Sequence, residues 1–125
     1  MKKLLSFATL AIMFVACGSD TPDVVVKKCY NAFFEGDAKQ FAKCFYFQSE
    51  DERREYTKRL TEDLSYIKTK IVEKGGIKSI ETNILDISES KAKVSSVITH
   101  NNGRTENHKM NLTKINNTWY MDEKF

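Results

Sequence analysis

Residues 91–115 read KAKVSSVITHNNGRTENHKMNLTKI, and along them apolar and polar side chains alternate with a period of two. Such alternation marks strands with one buried face, because successive side chains on a strand point to opposite sides. Ala92, Val94, Ser96, Ile98 and His100 share one face, and the apolar residues of the next strand, Met110 and Leu112, are also even-numbered. Residues that oppose each other across an antiparallel hairpin have numbers with a constant sum, so this sum must be even. A two-residue loop at Asn102-Gly103 makes it odd and is excluded. A three-residue loop, Asn101-Asn102-Gly103, makes it even, with Gly103 in the left-handed region. Val94 then faces Met110, and Ala92 faces Leu112.

The same test extends in both directions. Leu112 against Met121 needs an odd sum, and a two-residue turn at Asn116-Asn117 supplies it, asparagine tolerating positive φ. Upstream, a turn at Glu89-Ser90 sets Ile87 against Ala92 and Leu85 against Val94. Ile80 and Ile84 fall out of phase with that pairing, and a bulge near Asn83 restores them. Four strands are therefore predicted, at 77–87, 91–100, 104–115 and 118–123, joined as an antiparallel meander.

Before Ile77 the apolar period changes to that of a helix. Thr21 as cap and Pro22 at the first position open a helix over 22–35, which carries Val25, Val26, Cys29, Tyr30 and Phe33 and ends at Gly36. Asp37 caps a shorter helix to about Phe45, with Phe41, Cys44 and Phe45 on its apolar side. Ser49 with Glu52 forms a capping box for a third helix, in which Tyr56, Leu60, Leu64, Ile67 and Ile71 recur until Gly75-Gly76 stops it. The fold class is α+β, three N-terminal helices packed on a curved four-stranded meander, as one domain over 22–125. Cys29 lies seven residues before Gly36 and Cys44 eight after it, so an antiparallel helix pair brings them level. A disulfide and two buried free thiols both fit that placement.

The chain opens with Met1-Lys2-Lys3, continues as an apolar run from Leu4 to Val15, and reaches Ala16-Cys17 before polar Gly18-Ser19-Asp20. This order of charge, apolar core and small residue is that of a secretory signal. The run is shorter than the ~20 residues a membrane-spanning helix needs. Phe14-Val15-Ala16-Cys17 resembles the lipobox of bacterial lipoproteins, in which the Cys receives a diacylglycerol and the leader is removed. Residues 1–16 are thus expected to be cut away, with 17–21 a lipidated Cys and short tether. If retained, 3–15 is expected as a lone helix. Without Lys2 and Lys3 the 20 basic side chains become 18 against 17 acidic, a net of +1, so no argument for nucleic acid remains. The expected location is the bacterial cell envelope, at the outer membrane.

Helices followed by a curved meander resemble the nuclear-transport-factor-2-like cone. More specifically, the chain is similar to a family of small bacterial lipoproteins known as domain of unknown function 4878. The similarity rests on Pro22-Asp23-Val24-Val25 with Tyr30-Asn31-Ala32, on the Gly36-Asp37 break, on Lys74-Gly75-Gly76-Ile77-Lys78-Ser79, and on Asn117-Thr118-Trp119-Tyr120. It implies a fold and a lipoprotein habit but no activity. Cones of this kind include enzymes that set an Asp or His in an apolar mouth, which directs attention to the pocket.

His100, Glu106 and His108 gather at the Asn101–Gly103 end of the second and third strands. A histidine beside a carboxylate suits general-base work, and two histidines with a carboxylate suit a metal. Polar side chains also belong where a sheet end meets solvent, so the three are read as structural, with catalysis and metal binding as alternatives. Tyr30, Phe45 and Trp119 mark the place for a small apolar cavity. The opposite sheet face, with Ile84, Val97, Ile115 and Tyr120, offers a patch for a protein partner or a second copy. There is no glycine-rich phosphate loop, nucleophile elbow or paired-cysteine zinc motif, so no cofactor is expected. The function expected is that of a membrane-anchored, non-enzymatic binding or assembly module. A cone for a small apolar ligand and a His-dependent enzyme are the alternatives.

Overall fold

The computed structural model describes residues 20–123. The leader expected over 1–16, the lipobox expected at Phe14–Cys17 and the helix expected over 3–15 lie outside the described residues. The elements are α1 (Pro22–Glu35), α2 (Ala38–Ala42), α3 (Glu50–Glu73), β1 (Ile77–Ile87), β2 (Lys91–His100), β3 (Thr105–Ile115) and β4 (Thr118–Met121). None of the described helices is long and apolar enough to cross a membrane.

Helix boundaries follow from local chemistry. Pro22 starts α1, where a missing N–H costs nothing, while Thr21 occupies the cap position without a side-chain bond. At the other end Gly36 has φ of 75° and donates its N–H to Phe33 O, and Asp37 donates to Ala32 O. Asp37 Oδ1 accepts from Gln40 N at 3.1 Å and so caps α2. That helix ends at Ala42, short of the Phe45 expected, because Cys44 turns its carbonyl to Met121 N at 2.8 Å and ties the chain to β4. Ser49 Oγ accepts from Glu52 N at 3.1 Å to open α3, and Gly76 N closes it on Ile71 O at 2.9 Å.

The sheet has the order β1-β2-β3-β4. Val94 pairs with Met110, Ala92 with Leu112, and Leu112 with Met121. Gly103 has φ of 92°, and Asn116 and Asn117 have φ of 51° and 67°. Ile87 pairs with Ala92, but Leu85 does not face Val94. The register shifts between Ile84 and Asp86, and Ile84 takes the place opposite Val94. The bulge therefore sits at Leu85, not near Asn83. Placing it there rotates Ile84 and Ile80 together onto the helix-covered face and leaves Leu85 47% exposed.

The α1 helix makes most of the helix contact with the sheet. It touches β1, β2 and β4, while α3 rests chiefly on α1 and α2 and stands one layer further out. The three helices and the sheet share one apolar core, as expected, with α1 making the main contact to the strands. An aromatic chain links the layers, from Phe33 to Phe41 (5.3 Å between ring centres), Phe41 to Phe45 (5.2 Å), and Phe45 to Tyr56 of α3 (5.8 Å). Val26, Phe41, Val94, Ile98 and Leu112 are fully buried at the centre, and among the described residues the apolar core runs from Val26 to Met121, with Pro22 also fully buried. Cys29 and Cys44 are joined as a disulfide, which fastens α1 to the end of the α2 turn.

Candidate functional site

His100 ends β2 on the helix-facing side, and only 1% of it is exposed. Its burial follows from parity, since it shares a face with Val94 and Ile98, and the ring of Phe34 lies 6.5 Å from it. The three-residue loop then returns the chain in a register that opposes Glu106 to Ile98 and His108 to Ser96. Glu106 comes to rest between the two imidazoles. Its Oε2 lies 2.5 Å from His100 Nε2, and its Oε1 lies 3.0 Å from His108 Nε2. Arg104, at the loop's exit, adds a guanidinium 3.7 Å from Oε2.

The carboxyl feels opposing effects. Burial pushes its pKa upward, but hydrogen bonds from His108 and His100, with their charges, outweigh burial and hold it below the ordinary carboxylate range. Tyr30, whose ring stacks 5.8 Å from that of His108, is affected otherwise. Burial raises its pKa above the ordinary tyrosine value, and the nearby Ser96 hydroxyl opposes the rise only in part.

The three expected residues are therefore brought together, but facing inward upon one another. Both oxygens of Glu106 are engaged by imidazole nitrogens. A metal ion needs donor atoms that converge on a vacant point. Here they converge on each other, and among the described residues no group of three His, Cys, Asp or Glu side chains is placed to hold a metal. The arrangement binds the end of β2 to β3 and presents His108, with 43% of its side chain exposed, to a cleft of about 370 Å³. Tyr30, Phe33, Phe34, Glu106 and Met110 form much of that cleft.

The expected cavity among Tyr30, Phe45 and Trp119 separates into two parts. Phe45 and Trp119 are 3% and 5% exposed and belong to the packed core, because the aromatic side chains fill the space between helices and sheet. Tyr30, 4% exposed, belongs to the same core and, of the three, also lines the cleft. The outer sheet face is also less apolar than expected. The bulge removes Ile84 from it, leaving Val97, Ile115 and Tyr120 among Lys93, Asn107, Lys109 and Asn111. Phe34 and Arg104 were not singled out from sequence. The spacing of Phe34, one turn after Tyr30, was the available signal.

The profile of one protein family, Domain of unknown function (DUF4878), matches residues 15–122. The chain belongs to the DUF4878 family. A DUF4878 chain carries no activity in that description. A solved structure from Campylobacter jejuni, described as a candidate NTF2-like transpeptidase, superposes with a TM-score of 0.71 at 20% sequence identity. The match covers 84% of this chain and 100% of that one, so the DUF4878 domain has the NTF2-like fold. No curated protein matches the sequence.

Proposed function

We propose that this DUF4878 chain is the precursor of a bacterial envelope lipoprotein, anchored through Cys17, whose domain works by binding and not by catalysis. One observation carries the reading: the Cys29–Cys44 disulfide. Disulfides of this kind persist in oxidising compartments, which lie beyond the cytoplasmic membrane. The bond also accounts for two of the three cysteines, and the third stands where the leader meets the mature chain. Export and the lipobox thus find support in a feature far from both in sequence.

The filled interior supports binding at a surface over capture of an apolar molecule inside the cone. The transpeptidase description of the structural neighbour finds little support here. Both cysteines of the domain are tied to each other, and the described hydrogen-bond partners of the two histidines are Glu106 and Arg104. Acyl transfer would need a nucleophile beside a base.

Growth of the bacterium with radiolabelled palmitate tests the proposal. The native chain should carry label and sediment with membranes, and Cys17→Ala should lose both. Label retained by the variant, or a native chain found free of membranes, contradicts it.

A further inference from the structure

Charge on the first half of α3 is sorted by side. Towards Tyr46 and Phe47 stand Asp51, Glu52 and Glu55, together with Arg59. Towards α2 stand Arg53, Arg54 and Lys58, which meet Lys39 and Lys43 around a cleft of about 460 Å³. Five cations and one carboxylate, Glu50, line that cleft. Arg53 pairs with Glu50, and Arg54 with Asp51 at 2.9 Å. Lys39, Lys43 and Lys58 have no ion pair among the described residues, and all three are exposed. Three like charges held around one cleft repel each other, and an anion would relieve them. The walls beneath them are mostly hydrocarbon, supplied by the stems of the same long side chains.

We infer that this cleft binds the phosphate-bearing headgroup of an anionic membrane lipid. Cations above hydrocarbon walls complement a headgroup that joins a phosphate to a glyceryl and acyl stem. The inference rests on the anchored reading for its source of lipid, since a lipid on Cys17 would hold the domain beside such headgroups. The domain would then dock with the α2–α3 side against the surface, leaving the cleft at His108 free for other contacts.

The test uses the unacylated chain from residue 18, which contains every core residue, and vesicles of phosphatidylcholine with and without phosphatidylglycerol. The chain should float with the anionic vesicles and not with the neutral ones. A lysine near an anionic surface contributes about a fivefold gain, so Lys39→Glu, Lys43→Glu and Lys58→Glu together, which remove three such charges and reverse them, should weaken binding by at least about a hundredfold. The milder pair Lys39→Gln and Lys58→Gln should weaken it by more than about tenfold without reversing charge. Lys70→Glu, Lys74→Glu and Lys78→Glu make the same charge change elsewhere and should leave binding intact. Equal binding to neutral vesicles, or equal loss in that control, overturns the proposal. So does full release by inorganic phosphate at matched ionic strength, which would assign the cleft to a free anion. Because the chain tested carries no lipid, a failure here leaves acylation of Cys17 standing, and a free Cys17 in cells leaves this measurement standing.

Discussion

Glu106 has the most demanding environment in the domain, held between His100 and His108 with Arg104 beside it. Its pKa is lowered in the folded state, so the folded chain binds this proton less readily than the unfolded chain does. The stability it contributes is therefore present above the ordinary carboxylate range and is lost as pH falls through its depressed folded value. Urea unfolding over an acid pH series should show a shallower loss of stability in Glu106→Gln than in the native chain across that window. Equal slopes would contradict the account. Loss of a charge-assisted hydrogen bond should also lower stability near neutral pH by about 1–2 kcal/mol. His100, Glu106 and His108 were legible as a group from register alone. Their mutual engagement was not, because parity places Cα atoms and says nothing of where a carboxylate turns.

At the scale of elements, the turns were the most readable features. Gly103, Asn116 and Asn117 all adopt positive φ, and each connection was fixed by matching turn length to the parity of Leu112, Met110 and Met121. The bulge was less readable. Ile80 and Ile84 required one somewhere between them and Ile87, but any of several positions restores their phase, and only packing against α1 selects Leu85. The placement of α3 was hidden for a related reason. Its stripe of Tyr56, Leu60, Leu64 and Ile67 announces a buried side without naming the surface that buries it. The two cysteines left two readings open, and the structure joins them. For a loop of 15 residues, loop-closure entropy gives about 3 kcal/mol. Replacing Cys29 and Cys44 by Ser should lower unfolding stability by that amount, and a reductant should lower the native chain to match. A reductant without effect on the native chain would contradict the bond.

For the whole molecule, two facts at a distance from each other agree. The segment read as a leader ends at Cys17, and the domain beyond it carries a disulfide suited to an oxidising compartment. The basic cleft belongs to this scale also, since Lys39 and Lys43 meet Arg53 and Lys58 only after the chain has folded back through Gly36 and the aromatic chain has fixed α3. No local stretch of sequence contains it. On the proposed reading, the membrane address and the cleft would both bring the domain to a lipid surface, while the packed interior leaves the outside of the cone to make contacts. Mass spectrometry of the N-terminal peptide of the protein recovered from cells is the most direct measurement of this account. It should find a chain that starts at residue 17, with a diacylglycerol mass on the sulfur. A chain that begins at Met1, or a residue 17 with an unmodified thiol, would contradict it.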